Sequence, residues 1–291
     1  MKLLPLVLLL SSFSSLTLME VAPDVKSFEK ACGEFFIRNE NGIIIIPTIF
    51  PGDQYKMICQ LWKNKYRFAT VYDTVRRIPV YSAYTFSGKE QSKQSYEWKI
   101  EPQLENIIKY KDLKEMIDSP REAGKIFNQA VDCDYSGTGF TRGHMFPRQF
   151  AVDKDQAEST YTLTNVAPQK GDSNQKWATQ VETPILKEIK QRCRYKENDK
   201  VYIVTGVVPG EKWISIRRNG IYYEKGINIP SHFWSAYCCS SNKDDEKLNA
   251  NAYIATQENF QSKPSNIQDL NKELSKLYNV PFSVFPGLDL K

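Results

Sequence analysis

The stretch that decides the fold spans residues 136–147 and reads Ser-Gly-Thr-Gly-Phe-Thr-Arg-Gly-His-Met-Phe-Pro. Its three glycines allow tight turning and close approach of another backbone, because glycine has no Cβ. The stretch also contains His144, one of only two histidines in the chain. The other, His232, stands in Ser-His-Phe-Trp, a pattern typical of a strand that carries core aromatics. Chemistry that needs an imidazole base therefore points to His144.

A second polar stretch, residues 164–177, reads Thr-Asn-Val-Ala-Pro-Gln-Lys-Gly-Asp-Ser-Asn-Gln-Lys-Trp. It places Asn165 and Asn174 nine residues apart, and Glu182 follows eight residues further on. Taken in this order after Arg-Gly-His, the pattern resembles the DNA/RNA non-specific endonuclease family of ββα-metal, or His-Me finger, nucleases. The cysteine pattern and Ile-Pro-Ser-His-Phe-Trp at 229–234 are similar to its endonuclease domain-containing 1-like branch. The similarity extends over residues 55–278.

The resemblance implies a role for each of these polar side chains. His144 would act as general base toward water, a task that suits an imidazole with an ordinary pKa near 6.5. Asn174 would bind Mg²⁺ through its amide oxygen, with Mn²⁺ as a substitute, because magnesium prefers oxygen ligands and keeps much of its water. Glu182 would hold metal-bound water, and Arg142 would offset charge that builds on the phosphorus. Asn165 would support the geometry of the histidine and the metal.

The same resemblance implies an α+β fold of the ββα-metal type, in which a mixed, mainly antiparallel sheet is flanked by helices. It implies an endonuclease that contacts DNA and RNA through backbone phosphates and leaves 5′-phosphate ends. Indifference to sequence agrees with the lack of a recognisable major-groove helix or zinc-finger module. The irregular order of strand and helix segments independently favours α+β over a βαβ repeat. No obligate protein partner is indicated.

One position departs from the family pattern. The residue before Arg-Gly-His is Thr141, where the family usually has Asp. A carboxylate there would organise the metal's water or raise the basicity of the histidine, and a hydroxyl does so more weakly. Two hypotheses follow. The favoured one is an active nuclease, because the other matched residues are all present, and the alternative is a catalytically weakened homologue that binds nucleic acid or a protein.

The amino terminus has the pattern of a secretory signal. Lys2 precedes an apolar run at 3–10, and small polar residues follow at 11–17. The run is far shorter than the roughly 20 apolar residues that span a bilayer, and no later stretch is long and apolar enough. We therefore expect residues 1–19 to be a signal peptide and residues 20–291 to form a single domain. The mature protein is expected to be secreted, without a membrane span.

Six cysteines suit an exported chain, since disulfides persist outside the cell. Their pairing stays open, but the neighbours Cys238 and Cys239 would face opposite sides of a strand, so they have different partners or one is free. Without a Cys-x-x-Cys spacing and with two histidines, a zinc site is disfavoured. The net charge of +5 attracts a polyanion only modestly. Basic clusters that could meet phosphates lie at 76–77, 187–196 and 217–218.

Local patterns predict further elements. Strands are expected at 42–50, 67–73, 78–86, 200–208, 213–217, 221–226, 232–239 and 250–256, with a tight turn at Asn219-Gly220. A helix capped by Asp172 or Ser173 should run to residue 189 with a kink at Pro184, and helices are also expected within 111–130 and at 267–278. Residues 132–137, Asp-Cys-Asp-Tyr-Ser-Gly, imitate a calcium loop but lack its final glutamate. They therefore predict a turn with solvated aspartates.

Overall fold

The computed structural model describes residues 20–88, 96–195, 199–243, 247–288 and 290. The expected signal peptide, residues 1–19, lies outside this part of the chain. The strands are β1 (Val21–Ala22), β2 (Tyr55–Trp62), β3 (Lys65–Asp73), β4 (Ile78–Phe86), β5 (Lys99–Ile100), β6 (Ile117–Asp118), β7 (Phe140–His144), β8 (Val166–Lys170), β9 (Val201–Val208), β10 (Trp213–Arg218), β11 (Ile221–Asn228), β12 (His232–Ser240), β13 (Leu248–Thr256) and β14 (Ser262–Ser265). The helices are α1 (Val25–Cys32), α2 (Pro102–Glu105), α3 (Lys154–Ser159), α4 (Gly171–Trp177), α5 (Thr183–Arg192) and α6 (Ile267–Tyr278). A π-helical turn, Ala178–Glu182, joins α4 to α5, and 3-10 turns lie at Gly33–Phe35, Asp132–Tyr135, Arg148–Phe150 and Leu163–Asn165.

An eight-stranded sheet organises the molecule, in the order β1-β2-β3-β4-β9-β12-β13-β14. Each neighbouring pair in this sheet is antiparallel. The predicted hairpin is its β3–β4 pair, and the predicted turn at Asn219-Gly220 joins β10 to β11 in a separate two-stranded sheet. Both turn residues have positive φ, 50° and 80°, as a tight hairpin of right-handed twist requires. The α+β class with a mainly antiparallel sheet is confirmed.

Helices cover both faces of the sheet, because successive residues of a strand point to opposite sides. In β9, Ile203 packs into the layer that contains Trp177 of α4, whereas Val204 packs into the layer that contains Leu270 of α6. The first layer also holds Phe146, which follows β7. The polar stretches singled out in the sequence therefore lie on one face of the sheet, and α1 and α6 lie on the other.

Two disulfides tie helices to the sheet. Cys32 at the end of α1 is bonded to Cys59 of β2, and Cys193 after α5 is bonded to Cys239 of β12. Cys238 is buried with a free thiol, so the prediction that it and its neighbour have different fates is confirmed. Among the residues with described structure, no helix combines the length and apolarity needed to cross a bilayer.

Two local element predictions are wrong because distant contacts outweigh local preference. Residues 42–50 form no ladder beyond a bridge between Arg38 and Ile44, and their apolar side chains pack on the α1 and α6 layer. The β-branched residues of this segment therefore reflect packing in the core and not pairing with another strand. Residues 111–130 contain turns and β6 instead of a helix. There the carboxylate of Glu105 accepts hydrogen bonds from the backbone N–H groups of Phe127 and Asn128, which holds the chain in an irregular path.

The predicted cap of the helix that follows β8 is also wrong. The helix begins at Gly171 with Lys170 as its N-cap residue, before the expected Asp172 or Ser173. Pairing with β7 continues to Lys170, whose N–H donates to Gln257, so the strand delivers the chain directly into the helix. No capping side chain is needed to start it.

The aspartate-rich turn differs from the expected solvated one. Asp134 is buried, and both of its carboxylate oxygens accept hydrogen bonds from the guanidinium of Arg218, at 2.7 and 2.8 Å. Arg77 donates to the backbone oxygens of Phe127 and Gly226. The guanidinium groups of Arg77 and Arg218 therefore brace loops of the protein, and within their clusters these two arginines have a structural role.

Candidate active site

A β-hairpin followed by a helix carries the residues that the motifs singled out. Antiparallel pairing of β7 with β8 sets Thr141 opposite Gln169 and His144 opposite Val166, and α4 follows immediately. A Cβ at Gly143 would overlap the side chain of Gln169, so this position of the motif requires glycine. Strand alternation points Arg142 and His144 to one side of β7, and Thr141 to the other.

His144 is packed between aromatic rings. Its ring centroid lies 5.4 Å from that of Trp98 and 5.1 Å from that of Tyr161. Its Nε2 atom is buried and has no hydrogen-bond partner. Burial, and secondly the positive charge of Arg148, lower the pKa of His144 to about 4, against the opposing effect of a hydrogen bond to the backbone of Arg142. The imidazole is therefore neutral at pH 7, with an unused nitrogen.

Arg142 is fixed beside His144 by an acid and two rings. Its Nη2 donates to the backbone oxygen of Asp132 at 2.8 Å and lies 2.5 Å from a carboxylate oxygen of the same residue. Its guanidinium lies 5.0 Å from the ring centre of Tyr135 and 5.3 Å from that of Trp98. Trp98 therefore contacts both the arginine and the histidine, and Asp132 offsets part of the arginine's charge.

Thr141 orients Asn174. The Asn174 side-chain NH₂ donates to the Thr141 hydroxyl at 3.1 Å, and that hydroxyl donates to the backbone oxygen of Gln169 at 2.9 Å. This assigns the amide so that Oδ1 points away from β7, and no hydrogen bond to Oδ1 occurs within the described residues. Thr141 thus acts on the asparagine, and strand alternation turns it away from His144, one of the two groups that a carboxylate here was expected to influence, the other being the metal's water.

The π turn brings Asn174 and Glu182 toward one face of the helix. In an uninterrupted α-helix, residues at this spacing differ by about 80° around the axis. A π turn accommodates one extra residue and reduces that angle to about 20°. The irregularity predicted at Pro184 takes this form, because proline lacks an N–H and its ring clashes with the carbonyl four residues earlier. Asn174 then contacts Thr141, and Glu182 contacts Gln149.

Glu182 is an acid of raised pKa. Burial raises the pKa of its carboxyl to about 7, although a hydrogen bond from Gln149 opposes the shift. The Gln149 amide nitrogen lies 2.6 Å from Oε2. A bound cation favours the ionised form of a nearby carboxyl, so this group is suited to change its charge when a metal binds.

The donor set fits a magnesium ion with few protein ligands. Asn174 offers a free amide oxygen and Glu182 a carboxylate, and both are the hard oxygen donors that Mg²⁺ prefers. Within the described ranges, His, Cys, Asp and Glu side chains do not gather in a group of three that could hold a metal. Water and substrate oxygens would therefore complete the shell, an arrangement that magnesium accepts because it dehydrates reluctantly.

Asn165 is fully buried, and its amide is used entirely inside the protein. Its Oδ1 accepts from the Ser82 hydroxyl and the Phe146 N–H, and its NH₂ donates to the backbone oxygens of Phe146 and Thr160. Its backbone oxygen accepts from the N–H of Met145. Asn165 therefore positions the chain that follows His144, in keeping with the supporting role that the resemblance implies.

Several residues of this site were missed from the sequence. Trp98 and Tyr161, which cover His144, are remote in the chain from it and carry no motif. Arg148 and Gln149 lie only four and five residues beyond His144, and that proximity was the available signal. His232, by contrast, sits at the start of β12 with its Nδ1 2.9 Å from the Ser231 hydroxyl, in a strand position as expected.

Comparisons with known proteins identify relatives of this chain. A family model described as DNA/RNA non-specific endonuclease matches residues 51–288. Endonuclease domain-containing 1 protein from Homo sapiens is 29% identical over 198 residues, which are 67% of this chain and 37% of that protein. Nuclease EXOG, mitochondrial, from Homo sapiens is 30% identical over 173 residues, 55% of this chain and 44% of that protein. A solved structure of the EndoG/EndoGI complex has a TM-score of 0.49 at 17% identity, covering 79% of this chain and 86% of that chain. The chain spans less than half the length of these two human relatives.

Proposed function

The chain belongs to the DNA/RNA non-specific endonuclease family, in its endonuclease domain-containing 1-like branch, and from that membership we propose a divalent-metal-dependent endonuclease. It would hydrolyse phosphodiester bonds of DNA and RNA with little regard for sequence. One observation carries the proposal. On a single ββα unit, His144 has an Nε2 atom without a hydrogen-bond partner and Asn174 has a free Oδ1 atom. The first can accept a proton and the second can bind a metal ion.

His144 is the proposed general base. Since Nε2 has no partner, we assign the proton to Nδ1, which leaves the Nε2 lone pair to receive a proton from water. The lowered pKa keeps this lone pair available throughout the neutral range. Because Nε2 is buried, Trp98 or Tyr161 must yield some space before water and phosphate can reach it.

Asn174 is the residue that would bind Mg²⁺, for which Mn²⁺ is an expected substitute, and Glu182 would hold water bound to the ion. When bound, the ion supplies positive charge that stabilises the departing 3′ oxygen. Thr141 orients the Asn174 amide for this task. Arg142 would turn from Asp132 toward the phosphate and offset the charge that gathers on its oxygens. The products would carry 5′-phosphate ends.

The proposed substrates follow from the kind of contact that the site offers. A base, a metal ligand and an arginine recognise phosphate and sugar, which every nucleic acid shares, so neither DNA nor RNA is excluded. Two disulfides suit an oxidising compartment, and together with the signal pattern at residues 1–19 they support secretion.

A weakened homologue that binds nucleic acid or a protein is the second candidate. Two observations favour it: Thr141 replaces the family's acid, and the nitrogen of the general base is covered by aromatic rings. The hydroxyl nevertheless keeps an orienting contact with Asn174, which supports activity as the first choice.

Cutting of supercoiled plasmid and of RNA by the purified protein tests the proposal. We expect nicking with Mg²⁺, none with chelator, and a loss on the order of 10²–10⁴-fold in His144→Ala. His232→Ala is the matched control and should cut normally. If the native protein binds DNA without cutting it, the second candidate is favoured, and a gain of cutting in Thr141→Asp would identify the missing carboxylate as the cause.

A further inference from the structure

The β10–β11 ribbon, residues 213–228, ends in an exposed tip. Ile221 and Tyr222 are each 59% exposed, and neither has a ring contact or hydrogen bond from its side chain within the described structure. Register places Arg217 directly opposite Tyr222, so the two side chains share a face. An aromatic side chain left in water beside a free cation is typical of a surface that is covered by a partner, and Ile221 is exposed on the opposite face of the same tip.

A buried ion pair holds this tip in place. Arg218, next to the turn, is 1% exposed and donates to both carboxylate oxygens of Asp134, and also to the backbone oxygens of Gln129 and Ile126. Burying such a pair costs desolvation energy, and apolar residues of similar size often stabilise a fold equally well. What the pair provides is a defined position for the tip.

The anchor of the ribbon is also the anchor of the candidate active site. Asp134 lies in the same 3-10 turn as Asp132, which holds Arg142. The ring of Tyr135, in that turn as well, lies under the same guanidinium. Arg142 in turn shares a strand face with His144. One turn therefore sets the position of both the ribbon tip and Arg142.

The charge of the ribbon suits a polyanion. Arg217 and Lys225 are exposed, and neither has an ion pair within the described part of the chain. Glu224 is the one acidic residue of the ribbon, and Arg218 is already neutralised by Asp134. A two-stranded ribbon fits a nucleic-acid groove, cations meet phosphates, and aromatic rings stack on exposed bases.

We propose that the tip of the β10–β11 ribbon is a second nucleic-acid contact, which grips a polynucleotide away from the scissile phosphate. Arg217 contacts phosphate, and Tyr222, which shares its face of the ribbon, packs on the sugar and base. This inference rests on the proposed function only for the identity of the ligand, because binding at the tip does not require cutting. If the tip is a second contact, long polynucleotides should bind more tightly than a dinucleotide, because they add the contacts of Arg217 and Tyr222 to those of the candidate active site.

Binding of a fluorescent 30-mer, single-stranded or duplex, to the His144→Ala protein tests the tip. Arg217→Ala and Tyr222→Ala should each raise Kd for the 30-mer at least about fivefold. Arg217→Ala should also lower the slope of log Kd against log salt by about 0.7–0.9. Lys26→Ala on α1 and Ile108→Ala, an exposed cation and an exposed apolar residue outside the ribbon, are matched controls and should not change Kd.

Cutting by the active protein separates this inference from the proposed function. Both tip variants should raise KM for the 30-mer and leave the cutting of a dinucleotide unchanged. Unchanged Kd for the 30-mer in both variants, or absence of polynucleotide binding by the native protein, would overturn the ribbon site and leave a protein as the partner of the tip. If the native protein binds the 30-mer without cutting it, and Arg217→Ala and Tyr222→Ala bind it weakly, the ribbon site is supported and the nuclease proposal fails.

Discussion

Replacing Trp98 by Leu is expected to raise the pKa of His144. The indole centroid lies 5.4 Å from the imidazole centroid, and Nε2 is buried. Burial is the largest cause of the low pKa, and the charge of Arg148 is the second. Leu would leave one side of the imidazole open to water, which solvates the charged form. The variant should therefore lose part of the burial effect and keep the effect of Arg148.

The size of the effect follows from the lowered pKa. A change from 6.5 to about 4 corresponds to about 3 kcal/mol in favour of the neutral imidazole, at roughly 1.4 kcal/mol per unit. His144 is partly exposed as a residue, so solvent screening makes this figure an upper bound. The unfolded chain takes up the proton near pH 6.5 and the folded one near pH 4. This part of the free energy of unfolding is therefore fully present above pH 6.5 and is lost as pH falls toward 4.

An NMR titration of the histidine ring protons measures this directly, because the chain has only two histidines and His144→Ala assigns the signals. We expect a pKa of about 4 in the native protein and a rise of about one unit or more in Trp98→Leu. The acidic limb of kcat/KM should move to higher pH in parallel. Trp213→Leu, which changes an indole without contact to His144, is the control. A native pKa near 6.5, or no shift in the variant, would refute the conclusion that burial beside Trp98 lowers the pKa of His144.

Three further predictions concern the supports of the site and the fold. Thr141→Val should weaken Mn²⁺ binding about tenfold, measured by calorimetry, because the Asn174 amide loses its hydrogen-bond acceptor. Thr141→Ser keeps a hydroxyl and should bind Mn²⁺ normally. Equal affinity in the two variants would show that Thr141 does not support the metal ligand. Asp134→Asn should lower the free energy of unfolding in urea by about 3–5 kcal/mol, because Arg218 is left buried without a counter-charge, and a loss below about 1 kcal/mol would contradict that reading. Burial, followed by Glu101, raises the pKa of Glu20 well above 4.5, so its contribution to stability is complete below the unfolded pKa and is lost as pH rises through the folded one. Glu20→Gln should flatten the fall of Tm toward alkaline pH, and an unchanged fall would show that another group causes it.

Much of the fold was readable from local patterns. Helix α6 has the predicted bounds, 267–278, because an amphipathic period coincides with a capping side chain at Asn266. The β3–β4 hairpin and the turn at Asn219-Gly220 were predicted for the same kind of reason, since strand alternation and positive φ are local properties. Predictions failed at 42–50 and within 111–130, where long-range packing and the Glu105 carboxylate decided the path.

The sequence by itself determined which chemistry the site can offer. The order and spacing of His144, Asn174 and Glu182 identify the family, because residue type and separation are written directly in the chain. Only the tertiary structure decided how those groups are buried, paired and oriented. It covered His144 with Trp98, bound Arg142 to Asp132, and used a π turn to align Asn174 with Glu182. Spacing along a chain encodes local direction, whereas burial and charge pairing depend on segments that meet only when the sheet has formed.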